Sequence, residues 1–402
     1  MSKRADSNSD VSDLNPELSQ SQISKEYTAQ LGYVEDPESP LTADTFPSKS
    51  GGKPAWLNPE KFLTVKDVTC GNCSQPMSLL LQLYTPEDEP EEAFHRTVYV
   101  YCCRNGSCVK QDWKNSFKVY RSQLPRENPY YPATPNADDD DESIADEKVL
   151  ESFTPKSFKP PIQCSICGLG GAKLCGQCGN AAYCCKEHQM VDWNLCQHKQ
   201  FCQKPTLTET EQKTVNHLRS LRIFTEKEIV SEPEGKDKDE EEEEKQAEFF
   251  KANNPEEKSS DSKALVLAGD EAEEDTQAVD EAFLNFQLKI EANPDQVLRY
   301  ERVEYDMPAL EPLWVQAHQK PATIPNCDRC HGPRTFEFQI LSTLLNYIGI
   351  DHVALDSLDW GSLYIFSCKQ NCPVGDDVFA EEFIWKQDFS KEGMQLSANS
   401  NR

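Results

Sequence analysis

The residues best suited to chemistry in this chain of 402 residues are its 17 cysteines and seven histidines. Ten of the cysteines form five pairs in which two or three residues separate the partners. Such a turn presents two sulfurs to one zinc ion, which takes four ligands in a tetrahedron. Reduced, metal-binding cysteines are also favoured over disulfides in an intracellular chain. The spacing therefore predicts structural zinc sites.

Sixteen residues form the predicted ligand set, which is enough for up to four zinc ions with four ligands each. The central group consists of Cys164, Cys167, Cys175, Cys178, Cys184, His188, His198 and Cys202. The first outer group consists of Cys70, Cys73, Cys103 and Cys108. The second outer group consists of Cys327, Cys330, Cys368 and Cys372. Spacing alone allows the central eight to form either sequential or interleaved quartets. Cys102 is an alternative to Cys103, and Cys196 is an alternative to His198. His331, next to Cys330, is a fifth candidate for the second outer group but is expected to be a loop residue.

A common pattern links the two outer groups. Each contains a Cys-x2-Cys turn, an apolar strand, a second strand and a second pair of cysteines. In this alignment Cys103 corresponds to Cys368, which favours Cys103 over Cys102 as the ligand. Two copies are compatible with a duplicated zinc-stapled β unit and equally with convergence on a zinc ribbon.

The elements that must position these ligands are short strands and a few helices. Aromatic and β-branched residues predict strands at residues 78–84, 97–101, 117–122, 336–340 and 362–367. Apolar periodicity predicts helices at residues 206–224, from about residue 277 to before Pro294, and at residues 342–348. The predicted fold class is α+β and zinc-stabilised. We expect two β-rich, zinc-stapled halves to form one composite body, with a small zinc-binding unit inserted as a mobile appendage and acidic disordered linkers.

Charge separates the predicted domains from the linkers. The chain has 41 basic and 69 acidic residues, a formal net charge of -28 and a mean hydropathy of -0.70. Residues 136–148 carry -6 and residues 231–280 carry -13, and such acidic segments are expected to be disordered. The predicted domains are a disordered tail (1–26), an N-terminal zinc-stapled domain (27–132), an acidic linker (133–160), the central zinc unit (161–204), a helix (205–228), an acidic disordered insert (229–276), a C-terminal zinc-stapled domain (277–390) and a second disordered tail (391–402).

The composition also limits the function. An acidic chain does not offer the clustered Lys and Arg that direct nucleic-acid binding needs, and it suits a basic partner instead. No apolar run reaches the ~18 residues that span a membrane, and the polar start is not a signal peptide. We therefore expect no membrane association and a cytoplasmic protein, with nuclear residence left open. No catalytic or phosphate-binding motif is found, and zinc sites with four protein ligands are structural, so we expect no enzyme.

The central unit resembles a MYND zinc finger. The matching pattern is Cys164-x2-Cys167-x7-Cys175-x2-Cys178, then Tyr183-Cys184-x3-His188-Gln189, then His198-x3-Cys202. The resemblance implies interleaved sites, in which one zinc ion is held by Cys164, Cys167, Cys184 and His188 and the other by Cys175, Cys178, His198 and Cys202. The chain departs from the pattern because His188 replaces a commoner cysteine and four residues, rather than three, separate Trp193 from His198.

The flanks are similar to the programmed cell death protein 2 family. The matching segments, in the same order, are residues 46–56 (FPSKSGGKPAW), 93–96, 122–126, 296–300, 344–347, 359–361 and 382–387 (EFIWKQ). They extend over most of residues 29–390 and indicate a fungal-type member with acidic inserts. The resemblance implies a dedicated chaperone in ribosome biogenesis, which binds small ribosomal subunit protein five (universal nomenclature) during or soon after its synthesis.

Three functions can be compared. The escort chaperone fits the charge, since an acidic surface attracts a basic ribosomal protein, and its candidate apolar contacts are Trp56, Tyr131, Trp360 and Trp385. The alternative is a nuclear MYND scaffold that binds proline-containing peptides of transcriptional regulators near Gln189 and Trp193. A MYND-associated methyltransferase is least favoured, because no residues resemble its cofactor-binding region.

Overall fold

A computed structural model describes residues 28–133, 153–235, 280–303 and 307–389. The predicted tails (residues 1–26 and 391–402) and most of both acidic tracts lie outside the described residues. In the described part of the chain, no helix is long and apolar enough to cross a membrane. The β-rich, zinc-stabilised character predicted from the sequence is confirmed.

Strands dominate the described residues. They are β1 (Gln30–Glu35), β2 (Lys49–Ser50), β3 (Ser78–Tyr84), β4 (His95–Cys102), β5 (Phe117–Leu124), β6 (Lys173–Leu174), β7 (Ala182–Tyr183), β8 (Lys227–Pro233), β9 (Leu298–Tyr300), β10 (Arg334–Leu341), β11 (Ser362–Cys368) and β12 (Ala380–Gln387). The α-helices are α1 (Gly106–Asp112), α2 (Lys186–Leu195), α3 (His198–Phe201), α4 (Glu209–Ser220) and α5 (Glu281–Ala292). The helix predicted at residues 342–348 is a 3-10 helix, Ser342–Asn346.

Ten of these strands form one closed barrel, in the order β1-β8-β2-β3-β4-β5-β12-β11-β10-β9. All of its pairs are antiparallel. Segments from the two ends of the chain meet twice, because β5 pairs with β12 at Arg121 and Ala380, and β1 pairs with β9 at Gln30 and Tyr300. Within the described residues, every strand of this barrel therefore has a partner strand on both sides.

Strand β8 differs most from the predicted domain map. The sequence predicted a helix up to residue 228 and a disordered acidic insert from residue 229. Instead, the residues on both sides of this predicted boundary form β8, which lies between β1 and β2 in the barrel. The preceding helix α4 ends earlier, at Ser220, and begins with a capping box of Thr208 and Glu211. Only Ile229 of β8 is buried. Its charged pattern gives no strand signal, and its pairing depends on its neighbours in the barrel.

The barrel interior is filled by apolar side chains such as Leu80, Val98 and Phe338, all fully buried. Three of the four aromatic residues expected to contact a client belong to the buried core instead. Trp360 fills the interior at 1% exposure, and Trp56 and Tyr131 pack on the outside of the barrel beneath other segments. Large aromatic side chains bury about 150–250 Å² each, which makes them core residues in a small barrel. Trp385 alone is half-buried, against Trp113.

Buried ion pairs also join strands from the two ends of the chain. Arg96 on β4 pairs with Glu337 on β10 through two contacts, one of them 2.8 Å between Nη2 and Oε2, and both side chains are fully buried. Burial alone would raise the pKa of Glu337, but the charges of Arg96 and Arg302 outweigh it and hold this pKa at about 2. The pair thus links two strands that are not neighbours in the barrel.

The central zinc unit is docked on the barrel. The Trp56 indole N–H donates to the Gly168 carbonyl at 3.1 Å, and the Gly170 N–H donates to the Leu63 carbonyl at 2.8 Å. Ile166 is fully buried in the same apolar cluster. The unit is therefore not the mobile appendage expected from the sequence, at least on the side that faces the barrel.

The end of the predicted acidic linker also lies on the barrel. In the segment 153–163, here named the strap, the Lys156 N–H donates to the Pro129 carbonyl at 2.8 Å and Phe158 packs edge-on against Tyr130. The strap, the zinc unit, α4 and the barrel enclose a cleft of about 680 Å³, with Phe158, Ile166 and Ile223 in its walls. The shape of this cleft depends on the docked position of the zinc unit.

Candidate metal centres

The first outer group lies at one end of β3 and β4. Cys70 and Cys73 form a turn before β3, Cys103 follows β4, and Cys108 lies in α1. The Cys73 and Cys103 sulfurs are 3.7 Å apart. Four sulfurs at about 2.3 Å from one zinc ion would be separated by about 3.8 Å, so the group fits zinc. Cys102 is not part of it and lies in the barrel interior.

Neutral groups of the same region surround this first site. The Asn72 amide donates to the Cys108 carbonyl at 2.9 Å, to the Asp112 carbonyl at 2.7 Å and to the Ser116 hydroxyl at 3.0 Å. That hydroxyl is 4.0 Å from the Cys70 sulfur. These side-chain contacts to the site thus come from within residues 70–124.

The second outer group lies at the matching end of β10 and β11. The sulfurs of Cys327 and Cys372 are 3.7 Å apart, and those of Cys330 and Cys368 are 3.6 Å apart. His331 is not in the group. Its backbone adopts a φ of 59°, and its N–H donates to the Cys327 carbonyl at 2.9 Å.

The two outer groups belong to equivalent local structures, which we name the N-terminal unit (residues 70–124) and the C-terminal unit (residues 327–387). Each has a cysteine turn closed by a residue with a φ of 59°, Ser74 in one unit and His331 in the other. Each first strand carries a β-bulge that begins six residues after the second cysteine of that turn, at Leu79 and at Phe336. The units meet where β5 pairs with β12. The pattern shared by the two sequences thus corresponds to shared geometry.

The central unit contains two interleaved groups. In the first, the Cys167 and Cys184 sulfurs are 3.7 Å apart, and His188 Nδ1 is 3.5 Å from Cys164 and 3.3 Å from Cys184. The His188 ring therefore points its Nδ1 atom toward the cysteine sulfurs of this group. The other four residues, Cys175, Cys178, His198 and Cys202, form the second group.

The second central group uses the other ring nitrogen of its histidine. His198 Nε2 is 3.4 Å from the Cys175 sulfur and 3.7 Å from the Cys178 sulfur, and Cys175 is 3.6 Å from Cys202. Cys196 does not substitute for His198, because its sulfur contacts the Leu218 carbonyl instead. The extra residue between Trp193 and His198 is accommodated by a left-handed backbone conformation at Gln197, which has a φ of 61°.

A buried carboxylate, which no motif in the sequence marks, lies beside this second group. Asp192 is fully buried and accepts a hydrogen bond from the Tyr183 hydroxyl at 2.7 Å and two from Arg219 at 2.7 Å. Its Oδ2 atom is 3.8 Å from His198 Nδ1. Carboxylates that accept a hydrogen bond from a metal-binding histidine fix its ring orientation, and at 3.8 Å Asp192 is close enough to act on the ring through its charge but too far for that bond. Arg219 belongs to α4, beyond the finger pattern.

The chemistry of the donors agrees with zinc. Burial raises the pKa of the Cys103 and Cys372 thiols, so these two side chains favour the neutral form unless a cation is near. A zinc ion supplies the charge that converts them to thiolates, and binding releases the protons. Within the described residues, each of the four groups offers four protein ligands whose donor atoms lie within 4.8 Å of one another. Such closed sites are structural.

A closed β-barrel with two zinc-stapled units and an inserted two-zinc finger defines the class of this protein. Three family models match: "Programmed cell death protein 2, N-terminal domain" over residues 28–138, "MYND finger" over residues 164–202, and "Programmed cell death protein 2, C-terminal putative domain" over residues 280–388. The chain belongs to the programmed cell death protein 2 family, which confirms the resemblance seen in its sequence.

Relatives match along nearly the whole chain. The bovine (Bos taurus) protein named "Programmed cell death protein 2" is 34% identical over 372 residues, which cover 90% of this chain and 97% of that protein. The mouse (Mus musculus) "Programmed cell death protein 2-like" is 26% identical over 85% of this chain and 90% of its own length. The fission yeast (Schizosaccharomyces pombe) "Probable 20S rRNA accumulation protein 4" is 22% identical over 90% of this chain and 98% of its own length. No solved structure matches the chain.

Proposed function

We propose that this protein is a non-enzymatic escort chaperone in ribosome biogenesis. Its client would be small ribosomal subunit protein five (universal nomenclature), bound in the cytoplasm during or soon after synthesis. The observation that carries the proposal is the match to a fungal relative named for 20S rRNA accumulation, which extends over 90% of this chain. The choice of client rests on the family resemblance in the sequence.

The metal sites support a binding role rather than a catalytic one. Each of the four groups is completed by four protein ligands, so no coordination position is open to water or substrate. Zinc-stapled units can instead hold a fixed surface without a large core. This supports a scaffold that presents a surface to another protein.

Charge supports a basic client. The chain carries -28, and residues 136–148 and 231–280 together account for -19 of it. A strongly acidic partner speeds the encounter with a basic ribosomal protein and disfavours competition from RNA. The simpler interpretation of these tracts is that they are solvated spacers. The two interpretations differ in how client capture should depend on salt concentration.

Affinity capture of the tagged protein from nuclease-treated lysate, with quantitative mass spectrometry, tests the client. We expect one small-subunit ribosomal protein at near-equal abundance without the rest of the subunit. The acidic tract is tested by changing residues 240–244 (EEEEE) to glutamine, with the same five residues changed to aspartate as the matched control. Client capture at low salt should fall for the glutamine variant and persist for the aspartate variant. Equal capture by both would leave only the spacer role.

The alternative function is a nuclear scaffold that binds proline-containing peptides through the finger. The observation in its favour is that Leu174, Met190 and Leu195 are each 50% exposed on the finger surface. Under this alternative the same capture recovers transcriptional regulators, with ribosomal proteins at background. Changing Met190 to serine should then remove the regulators, whereas the escort function should be unaffected.

We further propose that the N-terminal and C-terminal units fold as one composite body. The pairing of β5 with β12 and the buried Arg96–Glu337 pair support this, because each half would otherwise expose a strand edge and an unpaired buried charge. Separate expression of residues 27–131 and 295–390 is the test. We expect each to be unstable alone. Two stable monomers that do not associate would contradict the proposal.

A further inference from the structure

Arg121 lies where the two units meet, beside the metal site of the other unit. It is on β5 of the N-terminal unit and is fully buried. Its Nη2 atom is 3.6 Å from the Cys372 sulfur, and its Nη1 donates to the Cys372 carbonyl at 3.1 Å. A guanidinium group therefore contacts a predicted zinc ligand from a different part of the chain.

A carboxylate holds this guanidinium group in place. Arg121 Nε donates to Glu382 Oε1 at 2.7 Å, and Arg334 Nε donates to Glu382 Oε2 at 2.9 Å. The Cys368 N–H also donates to Glu382 Oε2, at 3.1 Å. Two residues of the four-cysteine group, Cys368 and Cys372, are thus bonded to the same Arg–Glu pair, and one member of that pair belongs to the N-terminal unit.

Charge explains why such a contact matters. One zinc ion and four thiolates carry a net charge of about -2, and a buried net charge is costly unless opposite charge is near. Residues around a metal site that offset its charge or orient its ligands typically change the metal affinity about 10–100-fold when mutated. At the C-terminal site Arg121 is such a residue, whereas the N-terminal site receives its contacts from the neutral groups Asn72 and Ser116 of its own unit.

We propose that the C-terminal metal site is shared between the two units, with Arg121 of the N-terminal unit as its positioning residue. Its Nη2 atom offsets the charge of the Cys372 thiolate, and its pair with Glu382 fixes the ligand backbone. Zinc binding at Cys327, Cys330, Cys368 and Cys372 therefore depends on the joining of the units. At the N-terminal site the side-chain contacts to the ligands come from Asn72 and Ser116 of its own unit, so we expect the C-terminal site to lose zinc first when the units separate.

The test compares two buried arginines in the full-length chain. Arg121→Gln removes the contact to Cys372, and Glu382 keeps its partner Arg334. The matched control is Arg96→Gln, which breaks an equally buried pair between the same units, leaves Glu337 near Arg302, and contacts no zinc ligand. Native mass spectrometry counts the bound zinc ions during titration with a chelator, and iodoacetamide labelling with peptide mapping identifies the cysteines that are released.

Arg121→Gln should release the four cysteines of the C-terminal unit at a chelator concentration about 10–100-fold lower than in the unmodified protein, while the ten cysteines of the other three groups stay protected. Arg96→Gln should lower stability without this selective release. Release at the unmodified concentration, or the same release from both variants, would overturn the proposal. If the glutamine variants do not fold, Arg121→Lys and Arg96→Lys repeat the comparison, with a smaller but still selective release expected for Arg121→Lys.

Discussion

The N-terminal and C-terminal units share one local design but differ in what surrounds their metal sites. Both contain a cysteine turn, a bulged strand and a second pair of cysteines. In the N-terminal unit the last ligand, Cys108, lies in α1, and Asn72 ties that helix to the turn. In the C-terminal unit the last ligand, Cys372, lies in a loop and is contacted by Arg121 of the other unit.

The difference shows that ligand spacing determines where a metal binds but not what stabilises it. A Cys-x2-Cys turn is a local structure and forms from its own residues. The charge that offsets four thiolates comes from any residue that the fold brings close, and here Arg121 and Cys372 are 251 residues apart in sequence. Two sites of the same composition can therefore differ in how strongly they depend on the rest of the protein.

The largest expected effect follows from removing a ligand. Cys73→Ala should prevent the barrel from folding, because the N-terminal site connects the ends of β3 and β4. Zinc binding contributes roughly 10–16 kcal/mol at such sites. Cys175→Ala should leave the barrel folded, because Cys175 packs in a separate small cluster with Tyr183 and Cys202. Circular dichroism melts and the zinc count of each variant provide the measurement. A comparable loss of the thermal transition in both variants would show that the finger and the barrel unfold together.

A smaller effect is expected from the charges between the units. Glu337→Gln should destabilise the protein by about 3–5 kcal/mol, because it leaves Arg96 as a buried charge without its main partner. Urea denaturation gives the free energy of unfolding. The control is Glu381→Gln, which breaks an exposed pair with Lys118 between the same units and should cost about 0–1 kcal/mol. Equal costs would mean that the buried pair does not specify the junction.

The zinc ligands could be predicted from the sequence because their spacing is local. The strand predicted at residues 78–84 coincides with β3, where several consecutive apolar residues are buried. Strands β1 and β8 could not be predicted in this way. Only Leu31 and Gly32 of β1 are buried, β8 is mostly charged or polar, and the partners of both strands lie far along the chain. The same limit applies to the barrel as a whole, because its closure requires pairing between distant segments.

The residues that support the metal sites were also beyond prediction. Arg121 and Glu382 appear in the sequence as ordinary charged residues within apolar strands, and nothing marks them as partners. Asp192 and Arg219 lie on two different helices. Charged residues at inward positions of predicted strands are the one available signal, because a buried charge requires a partner.

An intermediate effect is expected where the two ends of the chain pack closely. The Gly106 N–H, at the start of α1, donates to the Asp356 carbonyl at 2.9 Å, and a methyl group at Gly106 would collide with the carbonyl oxygens of Asp356 and Ser357. Gly106→Ala should therefore destabilise the protein by about 1–3 kcal/mol. Ser107→Ala, at the next and exposed position, should change stability by less than about 0.5 kcal/mol. If urea denaturation gives the same free energy of unfolding for both variants, the close packing of Asp356 and Ser357 against Gly106 does not contribute to stability.

The smallest effect is expected at the finger, where another arginine supports a metal site from outside its own motif. Asp192→Asn should weaken zinc binding at the second central site by about tenfold, because a neutral amide lacks the charge that favours the ring orientation of His198. The 3.8 Å distance between Asp192 and His198 places the effect at the low end of the usual range. Chelator titration with cysteine labelling should show earlier release of Cys175, Cys178 and Cys202 only. Lys213→Gln, an exposed change on α4, is the control and should release nothing. Early release at the first central site as well would mean that Asp192 stabilises the whole finger rather than this one histidine.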